Sequence, residues 1–94
     1  MPKVTLDAGN DVPGPNRPTS IGVTGQGFPP GSAVNIKVFA GKRPLAGSAQ
    51  VRTDGSFDWS ATARPRLKCN ASVSAVVHGA DGIEIKADAT VFCP

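Results

Sequence analysis

The chain has 94 residues and a formal net charge of +3, with Lys+Arg 10 against Asp+Glu 7. Gly 11 and Pro 9 fall short of the ~25–30% that marks a disordered chain, and no apolar run approaches the ~20 residues of a membrane-spanning helix. With Cys 2 a disulfide-dense miniprotein is excluded, as are a coiled coil and a collagen-like chain, which leaves one small domain. Val, Ile and Thr together number 20 against 3 Leu. β-branched side chains suit a pleated surface and lose rotamer freedom in a helix, so strands are expected throughout.

Alternation punctuated by turn residues supplies the elements in chain order. Lys3 to Leu6 is a short first strand. Asp7 to Ser20 carries Pro13, Pro15 and Pro18, which cannot donate to a ladder, and reads as a loop or an extended arm. Ile21 to Gly25 alternates as a second strand, and Gly27 to Ser32 is a turn with Phe28 tucked beneath it. Val34, Ile36, Val38 and Ala40 alternate with Asn35, Lys37 and Phe39 in a third strand, followed by the basic turn Gly41 to Pro44. Leu45 to Arg52, poor in large side chains, is a weaker strand suited to an edge. Thr53-Asp54-Gly55-Ser56 is a strong turn, Phe57, Trp59 and Ala61 share one face of the next strand, and Ala63 to Arg66 breaks it.

The last third of the chain specifies its own register. Cys69, Ala71, Val73, Ala75 and Val77 alternate with a mostly polar set, as do Ile83, Ile85, Ala87, Ala89, Val91 and Cys93. Ala80-Asp81-Gly82 between them suits a three-residue hairpin with its Gly in the left-handed region. That turn sets Val77 opposite Ile85, Ala75 opposite Ala87, Val73 opposite Ala89, Ala71 opposite Val91 and Cys69 opposite Cys93. A slip of one residue would place apolar against polar faces. Facing cysteines on one inward face are within reach of a disulfide, and two buried thiols are the alternative. The expected core is Val23, Val34, Ile36, Val38, Phe57, Trp59, Val73, Ala75, Ile85, Ala87 and Val91.

About seven short strands in this length predict an all-β, antiparallel β-sandwich, with a small β-barrel as the alternative. Residues 1–20 form an N-terminal strand with a Pro-rich loop or arm, and residues 21–94 form the sandwich, in one domain with it.

The run Ile21-Gly22-Val23-Thr24-Gly25-Gln26-Gly27-Phe28-Pro29-Pro30-Gly31-Ser32, the strand Val34-x-Ile36-x-Val38, and Thr53-Asp54-Gly55-Ser56-Phe57 with Trp59 resemble the immunoglobulin-like domains of bacteria and their phages. The resemblance spans residues 21–93 loosely. It implies an Ig-like sandwich used as a spacer, decoration or adhesion module, and it carries no catalytic residues. The order differs from an antibody domain, since Trp59 precedes both cysteines and Tyr 0 leaves no tyrosine corner.

No chemistry-bearing cluster stands out. The single histidine, His78, lies beside the final hairpin turn with Asp81 three residues on, and a solvated turn residue accounts for it. One His and two Cys match no zinc spacing. Asp7, Asn10 and Asp11 could offer oxygens to calcium, but lack the spacing of a calcium loop and suit ordinary turns. Asn70-Ala71-Ser72 fits a glycosylation acceptor, a triplet that chance produces often. Lys42-Arg43 and Arg64, Arg66 and Lys68 are basic clusters in separate loops. Few aromatics accompany them, which favours solvated charge or an acidic protein partner over nucleic acid.

The expected function is therefore a non-enzymatic phage virion protein, a capsid or tail decoration module binding a major capsid or tail protein, with homo-oligomerisation open. No catalytic residue, metal, cofactor, nucleic acid or membrane partner is expected. Residues 1–20 lack the apolar core of a secretory signal, which suits a protein made in the host cytoplasm and exposed on lysis. The alternative is an Ig-like domain of a secreted or surface-bound bacterial adhesin or carbohydrate-binding protein. The partner-binding residues are not legible in the sequence.

Overall fold

A computed structural model describes residues 2–10, 17–40, 43–64 and 66–93. The chain forms seven strands: β1 (Lys3–Gly9), β2 (Thr19–Gln26), β3 (Ala33–Ala40), β4 (Arg43–Gln50), β5 (Phe57–Ala63), β6 (Ser72–His78) and β7 (Glu84–Thr90). They make two antiparallel sheets, one in the order β1-β2-β5 and the other β4-β3-β6-β7. The β-sandwich expected from the alternation is thus present, and the barrel alternative is corrected because the ladders fall in two separate sheets. Among the described residues an isolated bridge ties one corner: the Phe92 amide donates to the carbonyl of Ala8, and the Asn10 amide donates to that of Phe92. In a constant-type immunoglobulin domain the fourth strand joins the first, second and fifth. Here β4 joins β3 instead, through the hairpin that pairs Ala40 with Arg43.

The β6–β7 register is the one that alternation demands, running from Ser72–Thr90 through Ala75–Ala87 to His78–Glu84. Its connection is a single 3-10 turn, Ala80–Gly82, closed by the Gly79 amide on the Ile83 carbonyl, with Gly82 at φ 77°. The strand boundaries also have local causes. β5 stops at Ala63 because Arg64-Pro65 follows, and proline has no N–H to donate to a continuing ladder. Along β1, apolar Leu6 and Ala8 point inward, so the strand continues to Gly9, beyond the Leu6 expected from sequence. Thr19 and Ser20 already belong to β2, while Pro13 and Pro15, placed in the arm by the sequence reading, lie outside the described residues.

The core lies between the sheets and contains Val23, Val34, Ile36, Val38, Phe57, Val73, Ala75, Val77 and Val91, together with Phe28 beneath its turn. Phe28 meets Phe57 edge to face, ring centroids 5.3 Å apart, a geometry the ring quadrupoles favour. Trp59, Ile85 and Ala87 depart from the expectation of full burial: they pack against the core half-buried. All three sit on β5 or β7, edge strands of their sheets.

Candidate interaction surface

Odd-numbered strands run one way and even-numbered strands the other, so the connections segregate to the two ends of a body measuring 40 × 21 × 18 Å. One end, the hairpin end, holds the 27–32 and 51–56 turns and the β6–β7 hairpin. The other, the disulfide end, gathers Asn10, Arg17, the start of β4, the 64–71 connection and residues 91–93.

A buried polar knot organises the disulfide end. Thr19 is 0% and Asn10 1% exposed. The Thr19 hydroxyl donates to Asn10 Oδ1 at 2.6 Å and accepts the Leu67 amide at 2.9 Å. Asn10 Nδ2 donates to the Leu67 carbonyl at 2.9 Å and contacts Cys93 Sγ at 3.5 Å. Leu67 therefore has both backbone polar groups held by side chains from the first twenty residues. The sulfurs of Cys69 and Cys93 stand at bonding distance, with Cα atoms 5.7 Å apart. Above them Asn70 donates to the Val91 carbonyl and Val91 to that of Ala71, extending the β6–β7 register toward the cysteines. Cys69 is exposed and Cys93 half-buried, which corrects the inward placement expected for both: the alternation ends at Ser72, and Lys68–Ala71 is a β-turn with Asn70 at φ 65°.

The same knot displays charge. Arg64, Arg66 and Lys68 lie around the clamped Leu67 in the chain, and Arg17 lies two residues before Thr19. Arg17, Arg64 and Lys68 are exposed, and among the described residues none of the three forms an ion pair. The described loop residues of this end include no carboxylate. The two exposed large hydrophobic residues among the described residues flank it, Phe39 near the end of β3 at 47% exposure and Phe92 just after β7 at 64%. Phe92 also walls an open groove of about 430 Å³ floored by Ala8, Gly9, Ile21 and Gly22, with Asp7 and Ser20 at its rim.

In the 52–58 segment at the hairpin end, charged side chains are instead held locally. Arg52 pairs with Asp58 and donates to Ser56 Oγ at 3.2 Å; the hydrogen bond to Asp58 and then its charge hold the Arg52 proton more firmly than usual. Asp54 accepts from the Ser56 hydroxyl at 2.6 Å and its amide at 3.0 Å. Those two bonds, the hydroxyl's first, lower the Asp54 pKa.

The remaining sequence candidates do not converge. His78 faces outward on the four-stranded sheet, its Nδ1 3.9 Å from a Glu84 oxygen. Ser48 shares that row through Asn35, but two strand spacings of ~4.8 Å separate it from His78, beyond hydrogen-bond reach. Asn10, weighed above as a calcium oxygen, is consumed by the knot, while Asp7 faces out opposite Gly22 and Asp11 lies outside the described residues. The described residues include no cluster of three or more metal-ligating His, Cys, Asp or Glu side chains, and no helix long and apolar enough to cross a membrane. Asn70 of the glycosylation triplet is exposed. No family model, curated protein or solved structure matches the chain.

The knot and the gathering of the basic loops are what sequence reasoning missed. Asn10 and Leu67 are 57 residues apart and Asn10 and Cys93 are 83 apart, and a lone Asn or Thr in a turn-rich stretch carries no periodic signal.

Proposed function

We propose that this chain is a non-enzymatic structural module of a phage particle, a decoration or accessory protein that docks on the lattice of a major capsid or tail protein. One observation carries the docking reading: Arg17, Arg64 and Lys68, which form no ion pair among the described residues, and the exposed Phe39 and Phe92 gather at one end of the sandwich. Arginine and large aromatics are enriched at protein interfaces, where they act as anchors. The particle setting rests on the resemblance of the Ile21–Ser32 and Thr53–Trp59 runs to phage and bacterial Ig-like domains, and on a cystine that would persist outside the cell.

That cystine equally favours a second reading, an Ig-like domain of a secreted adhesin or carbohydrate-binding protein. Particle purification separates the two. Immunogold electron microscopy and mass spectrometry of density-purified particles are expected to find the chain on a capsid or tail at lattice stoichiometry. Recovery only in the soluble secreted or cell-envelope fraction would remove the particle reading.

A further inference from the structure

We infer that the disulfide end is a preorganised docking surface for an acidic patch on a protein partner, with Arg17, Arg64 and Lys68 as its charge-reading residues. The inference rests on the docking function proposed above and names the chemistry of that contact. Two independent observations carry it. The first is the contrast between two loops: Arg52 pairs with Asp58 and Asp54 is held by the Ser56 hydroxyl and amide, whereas the side chains of Arg17, Arg64 and Lys68 form no ion pair among the described residues. Gathered like charges repel one another, so their unmatched presentation on one surface suits a partner that supplies the opposite sign.

The second observation is rigidity. Thr19 and Asn10 hold the N–H and C=O of Leu67, the residue between Arg66 and Lys68, and the Cys69–Cys93 contact closes the loop just beyond. Fixing the loop backbone before binding lowers the ordering entropy of association, which is the usual reason for such clamps beneath an interface. Among the described residues the buried polar atoms of the knot bond one another, the loop backbone and a cysteine sulfur.

An acidic protein surface fits better than nucleic acid. Single-strand binders run a cationic groove beside stacking aromatics, whereas these cations crown a loop cluster and the grooves lie on the sheet faces. Phe39 belongs to the four-stranded sheet and Phe92 abuts β1 of the other, so one strand could not stack on both.

The test uses the full, oxidised chain, labelled for amide NMR and titrated with a short poly-glutamate peptide and, separately, with a single-stranded oligonucleotide of equal charge. Poly-glutamate is expected to shift the amides of Arg17, Arg64, Leu67 and Lys68 and to leave the 52–58 turn unmoved. The triple variant Arg17→Glu, Arg64→Glu, Lys68→Glu is compared with Lys3→Glu, Lys37→Glu, Lys86→Glu, which changes the net charge equally from exposed positions elsewhere. The first should weaken binding roughly tenfold or more, the combined effect of losing several surface ion pairs, and the second much less. Equal weakening by both sets, shifts spread over both ends, or tighter binding of the oligonucleotide would overturn the inference. Particle association distinguishes its failure from that of the function. Wild-type chain on particles with the first variant also retained sinks the acidic dock alone, whereas wild-type chain absent from particles sinks the function and leaves the poly-glutamate result to judge the surface.

Discussion

The indole of Trp59 occupies the space that a side chain on Gly47 would need: a Cβ at Gly47 would lie 2.3 Å from the indole nitrogen. Trp59 is on β5 of one sheet and Gly47 on β4 of the other, so this contact packs the two edge strands together along the side of the sandwich away from β1 and β7. Phe57 does the same over Gly25 within its own sheet, where a Cβ would meet the ring at 2.1 Å. Glycine in a strand usually weakens it; here each missing side chain makes room for an aromatic ring.

Substitution at this contact should therefore be felt from either side. Gly47→Ala is expected to cost about 1–3 kcal/mol by forcing the indole away. Trp59→Ala should cost about 2–3 kcal/mol, below the range of a fully enclosed aromatic because Trp59 is half-buried. Because the two changes disrupt one contact, the double variant should cost less than their sum. Urea unfolding followed by far-ultraviolet circular dichroism measures all three; simple additivity would refute the contact.

Thr19→Val removes the hydroxyl at the centre of the polar knot while keeping its shape. The Leu67 amide loses its acceptor and Asn10 Oδ1 its donor. A buried group left without a partner costs about 1–3 kcal/mol. Thr19→Ser, which keeps the oxygen, should cost distinctly less. Hydrogen exchange should show the Leu67 amide opening faster in the valine variant, with the Val38 amide in the core opening only by the global loss of stability.

Mass spectrometry of the chain isolated without reductant is expected to find Cys69 and Cys93 joined and no alkylatable thiol after unfolding. The bridge spans a sequence separation of 24, and closing a loop of that size contributes about 3 kcal/mol in the chain-entropy account. Reduction should lower the thermal midpoint without abolishing the fold, since the two cysteines lie beyond the β6–β7 ladder and outside the sheet core. Two free thiols in the native, unreduced protein would contradict the bridge.

The Asp54 carboxyl gives a prediction in acid. Its hydrogen bonds from Ser56 favour the ionised form and lower its folded-state pKa. The turn's contribution to stability is then present above the unfolded-state pKa of Asp54 and is lost as pH falls through the lower folded-state value. Because Asp54 is exposed, the effect on global stability is small and the titration itself is the readout. A side-chain carboxyl NMR titration should find a higher midpoint for Asp54 in Ser56→Ala than in the wild type. Identical midpoints would show that the turn bonds do not hold the charge.

Much of the fold was legible in the one-dimensional pattern, and the reason is period. Side chains alternate across a strand, so Val34, Ile36 and Val38 declared an inward face and Ala80-Asp81-Gly82 set the register of the final hairpin as far as the cysteines. Turn chemistry did likewise for Asp54-Gly55 and Gly82, because few residues accept a positive φ. Alternation has no means of saying which strands become edges or which sheet a fourth strand joins, and so β4 beside β3 and the half-burial of Trp59, Ile85 and Ala87 were decided by tertiary packing. The proposed docking surface lies wholly on that second side. Arg17, Arg64 and Lys68 are ordinary loop charges until antiparallel topology brings their loops to one end, and Asn10 and Thr19 are ordinary turn residues until Leu67 arrives between them. Local propensity acts over a few residues, whereas these contacts depend on how strands far apart in the chain are stacked.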